Sequence, residues 1–141
     1  MAGDTMRVVL EKIGPCAFEG RDDRGHTITV DGPAALGGMD TGMRPMELFL
    51  QALAGCSGVD VVMILSKGKQ QVERMRIEVE GRRADAVPAV FTHITMTFVV
   101  SGDVAQNKLD RAVALSLEKY CSVAKMLGPE VVVEGRGRIE G

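Results

Sequence analysis

The feature that most restricts how this chain can fold is an apolar stretch near its middle. Within residues 48–65 only Gln51 and Asp60 are strongly polar. Proline is favoured at the first position of a helix and glycine just past its end, so the pattern predicts one helix over Pro45–Lys67, stopped by Gly68. Such a helix is roughly 35 Å long. Because it is apolar nearly all round, it must be covered on every side.

Strand patterns surround this helix on both sides in the sequence. Three short β-prone segments precede it; two long strand patterns, two helices and a last strand follow it. This order predicts an α+β fold, βββ-α-ββ-αα-β, with antiparallel sheets packed on the long central helix. The predicted strands cover residues 6–13, 16–23, 26–32, 71–85, 90–102 and 130–139, and the two later helices cover 107–120 and 121–127.

The length of the chain bears on its domain and subunit organisation. A chain of 141 residues is expected to form one domain, here residues 1–141, with room for one substantial core. About six strands suffice to cover one side of the long helix. The other side needs a second chain, so we expect an intertwined homodimer in which the long helices of two subunits pack together.

Charge and aromatic content exclude several classes of partner. The formal net charge is −2, and the chain has four Phe, one Tyr and no Trp. It therefore lacks the basic surface and the stacking platforms that nucleic-acid binding requires. The N-terminus has no secretory pattern, and the uncharged stretch over residues 48–59 is shorter than the roughly 20 residues that cross a bilayer. We expect a cytoplasmic protein with no nucleic-acid or membrane partner.

The three cysteines, Cys16, Cys56 and Cys121, are too few and too widely spaced for a disulfide framework or a structural zinc site. In a reducing compartment such cysteines are either inert core residues or sites of redox chemistry. Cys56 lies between Gly55 and Gly58, each of which costs a helix about 1 kcal/mol relative to alanine. The small residues predict a tight, buried pocket around the Cys56 thiol that another backbone approaches closely.

Local chemistry distinguishes two of these thiols. Burial among apolar residues should raise the pKa of Cys56, and a charged Asp60 one turn later would raise it further. Cys121 is expected near the start of a short helix, where free N–H groups favour a thiolate. On this reasoning Cys121 has the lower pKa. Nothing in the spacing itself indicates that Cys56 and Cys121 meet.

Two segments carry a resemblance to a known family. The sequence "GMRPMELFLQALAGCSGVDVVMIL", followed 65 residues after its cysteine by the cysteine of "LEKYCSVAKML", closely resembles the OsmC/Ohr family. The similarity covers nearly the whole chain, including the glycine-rich connector before the long helix. It implies an OsmC-like, homodimeric α+β protein that reduces hydroperoxides, organic ones especially, in oxidative-stress defence.

The resemblance also implies roles for two cysteines. Cys56 corresponds to the peroxidatic cysteine, whose thiolate attacks the O–O bond and becomes a sulfenic acid. Cys121 corresponds to the resolving cysteine, which forms a disulfide with Cys56. A dithiol reductant such as a lipoyl protein would then restore both thiols. The implied cycle requires no cofactor and no metal.

The chain departs from the hydroperoxide-specialised branch of that family at its activating residues. Met46 stands where that branch has a glutamate, and Glu47 falls on the opposite helix face, where it suits the helix dipole. Aligning "GRD" nominates Arg21 as the activating cation, whereas aligning "DRG" puts Cys16 at that place. This pattern resembles the less characterised OsmC-like branches, for which weak peroxidase activity is expected.

A binding function is the alternative to catalysis. Nine methionines either fill a core poor in aromatic residues or line an apolar entrance. A dimer with such a pocket would hold a lipid or another hydrophobic metabolite, with non-catalytic cysteines in its lining. His26 and His93 have no partners at metal-ligand spacing, so core or solvent-facing roles are expected for both.

Overall fold

The computed structural model describes residues 3–141, which form two compact units: the described residues up to Phe49, and Leu50–Gly141. The predicted α+β class and element order are confirmed; the expectation of one domain stays a prediction. The elements are β1 (Val9–Lys12), β2 (Ala17–Arg21), β3 (Thr27–Asp31), a 3-10 turn (Ala34–Leu36), α1 (Pro45–Lys67), β4 (Gln71–Arg83), β5 (Phe91–Asp103), α2 (Gln106–Leu115), a π-helical turn (Ser116–Tyr120), α3 (Ser122–Lys125) and β6 (Val132–Ile139).

The first unit contains an antiparallel sheet in the order β1-β2-β3. Gly20 at its centre lies opposite Leu10 on one side and Ile28 on the other. A Cβ at Gly20 would lie 3.4 Å from Ile28 and 3.5 Å from Leu10, so both side chains pack against the glycine.

The glycine-rich connector after β3 is organised by one buried carboxylate. Asp31 is 1% exposed, and its Oδ2 accepts hydrogen bonds from the Met39 N–H at 3.0 Å, the Thr41 N–H at 3.1 Å and the Thr41 hydroxyl at 2.7 Å. Its Oδ1 lies 3.6 Å from Cys16 Sγ. The Thr41 hydroxyl and then the two N–H groups hold the pKa of Asp31 well below its usual range.

Because of this carboxylate, the free energy of unfolding should depend on pH. The folded state lowers the pKa of Asp31, so its contribution is complete above the unfolded value of about 4 and declines as the pH falls below it. Asp31→Asn, whose amide places N–H groups against the Thr41 donors, should therefore melt lower than wild type at pH 7. The difference in melting temperature should shrink between pH 5 and about pH 3.

Asp40→Asn is the matched control for Asp31→Asn. Asp40 belongs to the same connector, but its side chain is 90% exposed, and asparagine tolerates its φ of 57°. Its melting temperature should stay within about 1 °C of wild type across that pH range. A pH-independent deficit in Asp31→Asn would contradict the role given to the charge.

Helix α1 has a defined cap at each end. The Arg44 N–H donates to the Glu47 side chain at 2.9 Å, which confirms the first-turn role expected for Glu47. At the other end the helix stops after Lys67, as predicted. The residue in the left-handed conformation is Lys69, with φ of 60°, rather than Gly68. Its N–H and that of the next residue bond back to the last turn, in a Schellman arrangement.

The second sheet has the order β4-β5-β6 and is mixed rather than wholly antiparallel. The β4 and β5 strands form a long antiparallel hairpin, whereas β5 and β6 pair in parallel, with His93 opposite Val132 and Val100 opposite Ile139. The parallel pairing has a direct cause. The chain between β5 and β6 forms α2 and the turns after it, and such a helical crossover returns the chain in the same direction.

The core of the second unit lies between α1, the central strand β5 and α2. Two glycines of β6 bring α2 close to the sheet: a Cβ at Gly135 would lie 2.8 Å from Val113, and one at Gly137 would collide with Leu109. The completely or nearly completely buried apolar side chains include Leu53, Val61, Leu65, Ile94, Met96, Phe98, Val100, Leu109, Ala112 and Val113.

One side of α1 remains exposed within the chain. Val59 is 65% exposed and Met63 is 51% exposed, although both are apolar and lie in the middle of the helix. By length and composition alone α1 could cross a membrane, a criterion that core helices of soluble proteins also meet, and 28% of its most apolar window is buried. The sequence prediction that the uncharged stretch is too short to cross a bilayer considered only residues 48–59, whereas α1 continues past Asp60 to Lys67.

Candidate active site

Helix α1 supplies two of the three groups in the candidate site. Cys56 and Asp60 are four residues apart, so their side chains lie on the same face of the helix. Both are partly exposed. Cys56 is therefore less enclosed than the sequence suggested. Of the neighbouring glycines, Gly58 packs against the Ile77 side chain, and a Cβ at Gly55 would meet nothing within 4 Å in its own chain.

The third group, Cys121, is placed by an irregular turn. Helix α2 widens into the π-helical turn, and the Cys121 N–H donates to the Ser116 carbonyl at 2.7 Å. Cys121 then caps α3, accepting a hydrogen bond from the Ala124 N–H on its Sγ at 3.4 Å. Its side chain is completely buried. π-Helical turns occur often at functional sites.

The fold brings Cys56 and Cys121 together within one chain. The sulfur atoms of both cysteines and a carboxylate oxygen of Asp60 all lie within 4.8 Å of one another. Both thiols are free. Both sulfur atoms of this pair therefore belong to one and the same chain.

Burial raises the pKa of the Cys121 thiol. The Ala124 N–H opposes this rise by stabilising the thiolate, whereas the hydrogen bond to Cys56 and the charge of that side chain add to it. The direction is opposite to the lowering of the Cys121 pKa that was expected from its place at the start of a helix. The helix start does act on the sulfur as predicted, but the loss of hydration outweighs it.

A chain of buried hydroxyl groups fixes Asp60. The Ser116 hydroxyl donates to Asp60 Oδ2 at 3.0 Å, and Ser57 Oγ lies 2.8 Å from Ser116 Oγ. Both serines are 0% exposed. Ser116 was not predicted from the sequence, and Asp60 was expected to act on Cys56 only through its charge. The available signal was a lone carboxylate in an apolar helix, one turn after a cysteine.

A pocket of about 590 Å³ adjoins this cluster and shares Asp60 with it. Its walls include the apolar side chains of Met63, Leu115 and Tyr120, and the basic side chain of Arg111. The pocket is therefore amphipathic, with room for an organic group next to the carboxylate.

Arg21, nominated as the activating cation, is held by acidic partners in its own sheet. Its guanidinium lies 3.0 Å from a Glu11 oxygen and 2.9 Å from a Glu19 oxygen. Both ion pairs lie within the first sheet, so Arg21 has a local role there. Cys16 donates toward Asp31, as described above, and so has a local structural partner.

Both histidines form exposed pairs with carboxylates. His26 Nδ1 lies 2.8 Å from Asp22 Oδ2, and His93 Nε2 lies 2.7 Å from Glu134 Oε1. The hydrogen bonds from His26 hold the pKa of Asp22 below its usual range. Within residues 3–141, no group of three potential metal ligands includes either histidine.

Comparison with known proteins establishes the family. Residues 38–135 match the family described as OsmC-like protein. Protein YhfA of Escherichia coli K12 is 44% identical over 123 residues, which are 86% of this chain and 89% of that protein. The chain therefore belongs to the OsmC-like protein family, as the sequence resemblance indicated.

Solved structures agree with the fold. A hypothetical protein from Aquifex aeolicus VF5 superposes with a TM-score of 0.86 at 34% identity, covering 97% of each chain. An organic hydroperoxide resistance protein OsmC from Legionella pneumophila superposes with a TM-score of 0.73 at 18% identity, covering 97% of this chain and 98% of that one. At that lower identity the likeness shows the fold alone.

Proposed function

We propose that this protein reduces organic hydroperoxides, with Cys56 and Cys121 acting as a redox pair. The observation that carries the proposal is the meeting of two free thiols, from segments far apart in sequence, within 4.8 Å of each other. Family membership supports it, as does the likeness in fold to the Legionella protein, which is named for organic hydroperoxide resistance.

Access favours Cys56 as the attacking residue. Cys56 is partly exposed to solvent, whereas Cys121 is 0% exposed. A hydroperoxide must bring its O–O bond into line with the attacking sulfur, so the more accessible thiol reacts first. Cys121 is then in place to resolve the product without a large rearrangement.

The proposed cycle balances in three steps. The Cys56 thiolate attacks one peroxide oxygen, the S–O bond forms, the O–O bond breaks, and the alkoxide leaves as the alcohol after taking a proton. Cys121, giving up its proton, attacks the sulfur of the Cys56 sulfenic acid, an S–S bond forms, and water leaves. A dithiol reductant, for which a lipoyl group is suitable, supplies two electrons and two protons to restore both thiols.

The adjoining pocket suits the organic part of such a substrate. Its apolar wall, to which Met63, Leu115 and Tyr120 contribute, offers contact area that hydrogen peroxide cannot use. Asp60 joins the pocket to the sulfur pair. On this basis organic hydroperoxides should react faster than hydrogen peroxide.

The proposal includes a cytoplasmic homodimer. An exposed stripe of small and apolar residues runs along α1, at positions spaced three and four apart. A second copy of α1 would cover this stripe and approach closely at Gly55, where the chain itself leaves open space. The stripe comprises Ala52, Gly55, Val59, Val62 and Met63.

The proposed function can be tested on reduced protein in the absence of any added reductant. One equivalent of cumene hydroperoxide per chain should remove two thiols and produce one disulfide. Peptide mapping by mass spectrometry should locate that disulfide between Cys56 and Cys121. Cys16 should stay free and serves as the internal control. An equal amount of hydrogen peroxide should produce the disulfide more slowly.

Two results would overturn the redox assignment. One is the survival of all three thiols after exposure to an excess of cumene hydroperoxide. The other is a disulfide that involves Cys16 instead of the proposed pair. Survival of the thiols together with a copurified hydrophobic compound in native mass spectrometry would favour the binding function.

A further inference from the structure

We infer that Cys56, Cys121 and Asp60 form a binding site for a thiophilic divalent cation, of which Zn²⁺ is the best match. The inference is carried by the convergence of two sulfur atoms and one carboxylate oxygen within 4.8 Å. It does not rest on the proposed peroxidase activity. It concerns the reduced thiols alone and would hold for an inactive protein.

The donor set and its dimensions suit zinc. Zinc binds cysteine sulfur at about 2.3 Å and carboxylate oxygen at about 2.0–2.2 Å, so tetrahedral ligands lie roughly 3.5–3.8 Å apart. Side-chain movements of about 1 Å would bring the three donors to these separations. Two soft sulfur ligands select against Mg²⁺ and Ca²⁺, which prefer oxygen.

The three donors also leave room for a fourth ligand. Cys121 lies on the buried side, whereas Cys56 and Asp60 are partly exposed. Three protein ligands with one side open to solvent is the arrangement of zinc sites that keep a water or an exogenous ligand. Binding would displace the two thiol protons to solvent, so that the cation and the three ligands carry a net charge of −1.

Residues around the donors hold them as the outer ligands of metal sites do. Ser116 donates to one oxygen of Asp60 at 3.0 Å, which leaves the other oxygen for a cation. Ser57 in turn contacts Ser116, and both hydroxyls are completely buried. The Ala124 N–H contacts Cys121 Sγ. Such outer contacts orient metal ligands and raise the affinity of the site.

Asp60 accepts a hydrogen bond from a hydroxyl group but has no ion-pair partner among residues 3–141. Arg111 lines the same pocket as Asp60 but forms no ion pair with it. A bound cation can neutralise a partly buried carboxylate that lies outside any ion pair. This separates Asp60 from the carboxylates of Asp22 and Glu134, each of which faces a histidine.

Metal titration of the reduced, metal-free full chain tests the inference. Competition with a chromophoric zinc indicator should give one Zn²⁺ per chain. Co²⁺ should produce a thiolate charge-transfer band and the visible bands of a tetrahedral site. Cys56→Ser and Cys121→Ser should each abolish the charge-transfer band or weaken binding at least about tenfold, and Ser116→Ala should weaken it about 10- to 100-fold.

Asp60→Asn distinguishes the proposed site from a plain pair of thiols. It should weaken Zn²⁺ binding at least about tenfold, while Asp110→Asn, an exposed carboxylate on α2, should leave the affinity unchanged. Bound Zn²⁺ should protect Cys56 and Cys121, but not Cys16, from alkylation mapped by mass spectrometry. Circular dichroism checks that each variant is folded.

The inference is overturned if folded Cys56→Ser and Cys121→Ser bind Zn²⁺ as wild type does, or if wild type shows no stoichiometric binding. Equal affinity in Asp60→Asn would likewise exclude the carboxylate as a ligand. No hydroperoxide is present in these titrations. A chain that binds zinc but leaves hydroperoxide intact would contradict only the proposed function, and one that consumes hydroperoxide without binding zinc would contradict only this inference.

Discussion

Replacing Cys56 by serine is expected to reduce hydroperoxide consumption to the background rate of reductant and hydroperoxide alone. A serine hydroxyl is far less acidic and less nucleophilic than a thiol. Among the described residues, the cluster around Cys56 contains one other thiol, that of Cys121. Cys121 is buried and cannot readily replace it. The measurement is the loss of cumene hydroperoxide over time with a dithiol as reductant.

The other two cysteines provide matched controls. Cys121→Ser should consume about one hydroperoxide per chain in the absence of added thiol and then stop, leaving a Cys56 sulfenic acid that dimedone traps. Cys16→Ser should retain the wild-type rate, because Cys16 contacts Asp31 and has no part in the proposed cycle. Full activity in Cys56→Ser, or a dimedone adduct on Cys121 in wild type, would refute the order of attack.

The substitution Val59→Asp should convert the proposed homodimer into monomers. Val59 is 65% exposed in the chain and lies at the centre of the stripe that a second α1 would cover. An unpaired carboxylate buried in such an interface should weaken the free energy of dimerisation by about 3–5 kcal/mol. Sedimentation equilibrium at micromolar concentration should show a dimer for wild type and a monomer for the variant.

Val87→Asp controls for the added charge alone. Val87 is 100% exposed between β4 and β5, away from the α1 stripe in sequence, so this variant should sediment as wild type does. A wild-type protein that is monomeric at every concentration, or a Val59→Asp variant that remains dimeric, would disprove the proposed interface.

The long helix could be predicted almost to the residue because its signals are local. An apolar run, a proline at the first position and a first-turn glutamate set the bounds of Pro45–Lys67. The cap at its end was only partly predicted. Lys69 rather than Gly68 takes the left-handed conformation, since the hydrogen bonds of the last turn fix that residue and local propensity does not.

The parallel pairing of β6 could not be predicted from strand patterns. Alternation of apolar residues indicates which face of a strand is buried, but it carries no information about the direction of the neighbouring strand. That direction follows from the crossover through α2, together with Gly135 and Gly137, which let the helix lie on the sheet.

The candidate site was predictable in its residues and not in its geometry. The family resemblance identified Cys56 and Cys121 as candidate site residues. Their closeness depends on a π-helical turn that no sequence pattern predicted. The same turn carries Ser116 to Asp60, so the hydroxyl chain was invisible as well. The pKa of Cys121 was misjudged because burial, a tertiary property, outweighs the local effect of a helix start.

The sulfur pair is assembled by a single polypeptide, with one atom on α1 and the other beyond the π-helical turn. Every copy of the chain thus contains both thiols of the proposed redox pair. A change in subunit contacts therefore does not by itself divide the two thiols between different chains. Related proteins could therefore differ in their subunit contacts and still retain this pair of thiols.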